Sequence, residues 1–197
     1  MLSFPHIYLA SRSPRRGELL GQIGVRFEVL PSDIDESARS GESPEHYVLR
    51  LAREKALACA RRLSAAGMAA RPILAADTTV CIDGLILGKP EDDADAAAML
   101  RRLSDRWHVV HTAIAMAQGD RVETALSSTQ VEVAALAEQD IAAYVASGEP
   151  RDKAGSYGIQ GLAGAFIRRI EGSYSGVMGL PVYETVQLLG KFGVHVL

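Results

Sequence analysis

The sequence predicts a mixed α/β protein whose sheet is mixed rather than purely parallel. Strand-like and helix-like patterns interleave from one end of the chain to the other. Two turn signals, Asp83-Gly84 and Gly119-Asp120, join strand-like segments that must then pair antiparallel. With 197 residues, the chain suits one sizeable domain or two small lobes around a real core.

Residues 6–11 read as a first strand, aromatic and β-branched enough for one. A helix follows, with Ser13 as its cap and Pro14 at its first position, stopping near Gly24. RFEVLPS (26–32) is a second strand, and the polar residues from Ile34 onward form a loop. Ser43-Pro44-Glu45 opens a helix running to about Leu63. AAGMAARP is a connector. ILAADTTVCID (73–83) reads as a buried strand that enters a hairpin, with LILGKP as the return. DADAAAMLRRLS (93–104) is an alanine-rich helix. WHVVHTAIAMA, VETALSS and TQVEVAAL are read as three strands. AEQDIAAYVAS is a short helix ending at Gly148. Residues 148–181 are the most glycine-dense part of the chain, with a strand at AFIRRIEG (165–172). PVYETVQLLGKFG is the last helix, with Pro181 in its first turn.

The composition excludes several classes. A net charge of -3 provides no basic field for nucleic acid. No apolar run approaches the ~20 residues of a membrane span. The segment MLSFPHIYLA lacks a basic export signal, so a cytoplasmic protein is expected. Two isolated cysteines, Cys59 and Cys81, form neither a disulfide framework nor a zinc site.

The stretch SRSPRR, residues 11–16, separates the first strand from the first helix. Arg15 and Arg16 fall in the first turn, where a cation meets the positive end of the helix dipole. That placement opposes helix stability unless an anion binds there. Strand, tight turn, free backbone N–H groups and two guanidinium forks make a phosphate clamp, with Ser11 and Ser13 beside it. The ordinary alternative is a solvated basic turn.

Three further features share this character. Lys55 lies on the apolar stripe of its helix with Val48, Leu51, Ala52, Ala56 and Cys59; it either snorkels to the rim or points into a cleft. Asp77 follows the run PILAA, and a carboxylate ending a buried strand is where open α/β sheets place ligands. The next hairpin can return Lys89 beside Asp77, as a buried ion pair or as part of a catalytic site. Asp33, Asp35 and Glu36 crowd the loop after the second strand, at the sheet edge expected for SRSPRR. Such a loop is either solvated or holds Mg²⁺ through one or two carboxylates and substrate phosphates.

No GxxxxGK[ST], HExxH or GxSxG pattern is present. Neither cysteine has the surroundings of a nucleophile, and five histidines lie scattered without ligand spacing. The cations Arg15, Arg16, Lys55 and Lys89, with the carboxylates Glu36 and Asp77, point to phosphate chemistry on a polyanionic small molecule. A metal-activated water is the expected nucleophile.

In this order, LASRSPRR, LAREKA, AADTTV, GKP and DKAGSYGIQG resemble the Maf family of nucleoside triphosphate pyrophosphatases. The resemblance runs from Tyr8 to about Leu189. YGIQG and GSYSGVMGLPVYET are similar to the branch that hydrolyses dTTP and UTP. The resemblance implies one Maf-like domain over residues 1–197. Its elongated mixed sheet is flanked by helices, with two lobes and a central cleft, as in inosine triphosphate pyrophosphatases. It also implies a cytoplasmic, dimeric enzyme using Mg²⁺ or Mn²⁺. The substrates would be dTTP, UTP and modified pyrimidine triphosphates, and the role a house-cleaning one linked to division arrest.

Matched residue by residue, the resemblance makes Asp77 the proton acceptor. Arg15, Thr78 and Gln160 govern substrate choice. Arg16, Lys55 and Lys89 face the phosphates, and Glu36 is the acidic-loop residue, holding metal with Asp77. The cations are expected to keep Asp77 ionised. Gln160 can donate and accept at once, which suits O4 and N3–H of uracil or thymine. Its orientation must then be fixed by neighbours in the glycine-rich loop. Two other readings stay open: a nucleotide-binding regulator of septum formation with little turnover, and a 7-methyl-GTP or inosine triphosphate pyrophosphatase on the same scaffold.

Overall fold

The computed structural model describes residues 6–196. The expectation that MLSFP carries no export signal, and the outer limits of a 1–197 domain, lie outside the described residues. In chain order the elements are β1 (His6–Leu9), α1 (Pro14–Gln22), β2 (Arg26–Val29), α2 (Pro44–Ala65), β3 (Ile73–Ile82), β4 (Leu85–Leu87) and α3 (Asp93–Leu103). Then come β5 (Trp107–Gln118), β6 (Arg121–Val133), α4 (Glu138–Ala146), β7 (Ile167–Glu171), α5 (Tyr174–Met178) and α6 (Val182–Lys191). Single 3₁₀ turns occupy Ala154–Ser156 and Leu162–Phe166.

The strands form one seven-stranded sheet in the order β2-β1-β3-β5-β6-β7, with β4 also on β3. Pairing is parallel among β2, β1 and β3 and antiparallel elsewhere. The mixed sheet therefore stands as expected. Both two-residue hairpins are present, β3 to β4 through Asp83 and Gly84 (φ 54° and 74°) and β5 to β6 through Gly119 and Asp120. Positive φ at both central residues of the first, and at Gly119 (φ 57°) alone in the second, are the two turn geometries whose twist matches that of the paired strands.

Strand β3 is apolar at both ends, Ile73–Ala76 and Val80–Ile82, because both its faces are covered there, and Asp77, Thr78 and Thr79 interrupt the run in the middle. In one lobe Leu74 and Ala76 pack with Leu20 of α1 and Leu188 of α6, while Ile73 and Ala75 face Val48, Ala52 and Cys59 of α2. The second lobe has its own core, where Val80, Ile82 and Val110 meet α3 and α4. Strands β3, β5 and β6 run through both lobes. Among the described residues, no helix is long and apolar enough to cross a membrane.

Four local expectations are corrected. VETALSS and TQVEVAAL are one strand, β6, because the hydroxyls that suggest a turn are paired laterally. Ser128 Oγ lies 2.9 Å from His111 Nδ1, and Ser173 N–H donates to Thr129 Oγ1 at 2.9 Å. The strand expected at 165–172 starts only at Ile167, after a 3₁₀ turn. Helix α5, only five residues long, shows no periodicity in sequence. Pro181 caps α6 instead of lying in its first turn.

The second lobe buries a histidine. His108 is 3% exposed, with Nε2 2.8 Å from Tyr157 Oη and Nδ1 without a partner. Burial pushes its pKa down to about 4. The unfolded chain takes up that proton near pH 6.5, so between pH 6.5 and 4 it binds more protons than the native state. Stability should therefore fall with pH across that window, by up to about 3 kcal/mol from this group. Urea unfolding from pH 7 to pH 4 should show a shallower loss in His108→Gln than in the wild type.

Candidate active site

Asp77 lies at the middle of β3, not at its end as the sequence suggested. What exposes it to ligand is a gap on one edge of the strand. There, β1 pairs with β3 only at Ile73 and Leu74, and β4 only from Val80 to Ile82. Strand β1 stops because the chain turns at Ser13 into α1. Between the two partners, Asp77 and Thr78 face a cavity of about 710 Å³ between the lobes. That volume is in the range of small-molecule sites.

Helix α2 crosses this opening and sends Lys55 into it. The ammonium lies 2.7 Å from Asp77 Oδ1 and 2.8 Å from Glu36 Oε1, so one cation bridges two carboxylates. Lys55 thus points into the cleft, and it, not Lys89, is the ion partner of Asp77. Tyr47, also on α2, donates to the Glu36 carbonyl at 2.9 Å and pins the acidic loop. Arg12 pairs with Asp33 at 2.9 Å, holding that loop against the SRSPRR turn as the parallel β1–β2 pairing requires. Burial pushes the Asp77 carboxyl above the ordinary range, against the pull of Lys55 and Arg16. The direction expected from the cations alone is thereby reversed.

Arg16 is tied down on three sides. It donates to the Gly179 carbonyl at 2.8 Å, to Ser11 Oγ at 2.9 Å and to Thr78 Oγ1 at 3.2 Å. Gly179 has φ +112°, and a Cβ there would lie 3.4 Å from Thr78 Oγ1, so glycine suits this seat. Thr112 Oγ1 lies 2.8 Å from the Gly176 carbonyl and 3.0 Å from Thr78 Oγ1. Its single proton goes to the carbonyl, which can only accept; the Thr78 proton then fills the contact between hydroxyls. The Thr78 hydroxyl thus donates to Thr112 and accepts from Arg16, which leaves it one acceptor site toward the cavity. Ser13 occupies the cap position of α1 but its side chain does not cap; its N–H instead meets Ser11 Oγ at 3.2 Å.

Arg15, Lys89 and Gln160 line the same cavity. None of the three has a hydrogen-bond or ion-pair partner among the described residues. The cavity is lined by Arg12, Arg15, Arg16, Lys55, Lys89 and Lys153 against four carboxylates, Asp33, Glu36, Asp77 and Asp152. Two cations left unpaired inside a concave site favour a polyanionic ligand. The structure therefore gathers Ser11, Ser13, Arg15, Arg16, Glu36, Lys55, Asp77, Thr78, Lys89 and Gln160 into one cleft, whereas Asp35 of the acidic loop stays outside it and accepts from the Ser37 N–H. Sequence reasoning missed Lys153, Tyr47 and Thr112. Thr112 had a signal, a hydroxyl inside the apolar run VVHTAIAMA.

The family model "Maf-like protein" matches residues 6–192. The chain is similar to a dTTP/UTP pyrophosphatase of Methylobacillus flagellatus, 64% identical over 195 residues, covering 99% of this chain and 96% of the relative. It is similar also to a dTTP/UTP pyrophosphatase of Ralstonia nicotianae, 56% identical, covering 96% and 95%. The solved structure of the Staphylococcus aureus Ham1 protein aligns with a TM-score of 0.46 at 18% identity, over 65% of this chain and 71% of that one.

Removing the bridging cation should leave two carboxylates facing each other. Lys55→Met should cost about 3 kcal/mol by urea unfolding at pH 8 and less at pH 5, because burial already pushes the Asp77 carboxyl upward and the lost cation no longer opposes it. Asp77→Asn in the Lys55→Met background should recover part of the loss. Equal losses at both pH values would contradict the bridge.

Proposed function

Because the chain belongs to the Maf family, we propose that it is a nucleoside triphosphate pyrophosphatase acting on dTTP and UTP. The observation that carries this reading is the Asp77–Lys55–Glu36 cluster sharing one cleft with the unpaired Arg15 and Lys89. A base, a fixed guanidinium and free cations in one concavity are what hydrolysis of a phosphoanhydride needs.

Arg15, Arg16, Lys55 and Lys89 surround the triphosphate. Asp77 takes a proton from a water whose oxygen bonds to the α-phosphorus. The bond from that phosphorus to the bridging oxygen breaks, and pyrophosphate leaves with the electron pair. The cations neutralise the charge that develops on it. Ser11 and Thr78 keep Arg16 aimed at the phosphates. Glu36 and Asp77 would hold a divalent ion, Mg²⁺ or Mn²⁺. The fit rests on the donor set, since the two carboxylates already share a single cation and hard oxygens suit such ions. When bound, the ion supplies further charge neutralisation at phosphate oxygens and acidifies bound water.

Gln160 meets the pyrimidine edge, donating to O4 and accepting from N3–H, and lines the same cavity as Arg15. Both lobes line the cleft and share β3, β5 and β6, which supports reading residues 1–197 as one domain.

A panel of triphosphates assayed for pyrophosphate release with Mg²⁺ tests the reading. Release from dTTP and UTP ahead of 7-methyl-GTP and inosine triphosphate is the expected result, and binding without release would favour the regulatory reading. Asp77→Asn should lower turnover by at least ~10²-fold with the fold intact by circular dichroism. Gln160→Ala should flatten the ranking of pyrimidine triphosphates, and an unchanged ranking would remove it from base choice.

A further inference from the structure

We propose that Glu149 is a positioning residue for base choice, its carboxylate and the Tyr144 hydroxyl together holding the turn that carries Gln160. The proposal rests on the role of Gln160 given above and adds what aims it.

Gln160 is exposed at the tip of a turn closed by the Gly161 N–H, which donates to the Gly158 carbonyl at 3.0 Å. No hydrogen bond among the described residues orients its amide. A free amide flips readily, and uracil and cytosine present opposite patterns at N3 and C4. Discrimination then depends on where the turn holds the whole side chain.

Both arms of the turn are fastened to one pair of groups at the C-terminal end of α4. The Gly158 N–H donates to Tyr144 Oη at 3.3 Å, and Tyr144 O–H donates to Glu149 Oε1 at 2.9 Å. On the far arm, the Leu162 N–H donates to Glu149 Oε2 at 2.9 Å and the Ala163 N–H to Oε1 at 3.4 Å. Tyr144 is itself 3% exposed, so the anchor is set in the core of the second lobe. A side chain at Gly161 would run into the Glu149 carboxylate, so the glycine there belongs to this seat. Lys153 donates its ammonium to the Glu149 carbonyl and lays its methylenes against Gly158. Hydrogen bonds to an ionised carboxylate are roughly twice as strong as neutral ones, which suits a strap across an exposed glycine turn.

The bland account is that Glu149 merely caps the 3₁₀ turn Leu162–Phe166 and stabilises the protein. It predicts a parallel loss on all substrates. The phosphate clamp on the other lobe makes no contact with Glu149, so the strap predicts a selective loss instead.

The test is kcat/KM for UTP, CTP and ribose 5-triphosphate, which has no base, in wild type, Glu149→Ala, Glu149→Gln and Tyr144→Phe. Glu149→Ala should shrink the UTP:CTP ratio by ~10-fold, the equivalent of one charge-assisted bond. Its rate on ribose 5-triphosphate should stay within about twofold, since no bond to the clamp is lost. Glu149→Gln keeps an oxygen for the Leu162 N–H and should restore part of the ratio. Tyr144→Phe leaves the carboxylate in place, so it carries the test if Glu149→Ala does not fold, and its ratio should narrow too. An unchanged UTP:CTP ratio in a folded variant, or equal losses on all three substrates, would overturn the proposal. A wild type that releases no pyrophosphate, or does not separate UTP from CTP, would overturn the reading beneath it and is seen before any variant is made.

Discussion

One ammonium shared by two carboxylates holds the charged side of the cleft together. Lys55 stands 2.7 Å from Asp77 and 2.8 Å from Glu36, and each of the three groups comes from a different part of the chain. Asp77 is buried on β3, where an unpaired carboxylate would be costly. Lys55 lies on the core-facing stripe of α2, where an unpaired ammonium would be costly too. Their union lets both remain beside the gap in the edge of β3, and it draws the Glu36 loop over the cleft.

The same gap explains why two arginines can stand next to a buried carboxylate. Strand β1 leaves β3 after two paired residues and turns into α1, so the start of that helix points at the unpaired stretch of β3. Arg16 then reaches Ser11, Thr78 and Gly179 at once, stitching the turn, the strand and the segment after α5 together. A guanidinium held on three sides loses little freedom when it meets an anion, whereas Arg15 and Lys89 keep their donors for it.

The two ends of the cleft are built differently. At the end lined by Arg16, Lys55 and Asp77, rigid elements present charges: a strand, a long helix and a helix start. At the far end, glycines carry the chain through a tight turn, and the turn is held by the Tyr144–Glu149 pair from beneath. Charge needs fixed distances to a small target, which regular elements provide. Reading a base edge needs close backbone approach and a side chain at a tip, which glycine turns provide.

The sequence alone determined the fold class, since interleaved patterns and two hairpin dipeptides leave few ways to arrange the strands. It also singled out charged residues that line the cleft, because Arg15, Arg16 and Lys55 stand where helix stability and apolar stripes argue against them. Tertiary structure decided the pairings. That Asp77 meets Lys55 rather than Lys89 depends on α2 crossing the gap in β3, a contact between residues 22 apart that no local pattern encodes. Continuous β6 depended on partners for Ser128 and Thr129 that lie on β5 and beyond β7. The upward shift of the Asp77 carboxyl came from burial, which outweighs the nearby cations. Local propensity is written residue by residue, but burial and the choice of partner exist only once distant segments have packed.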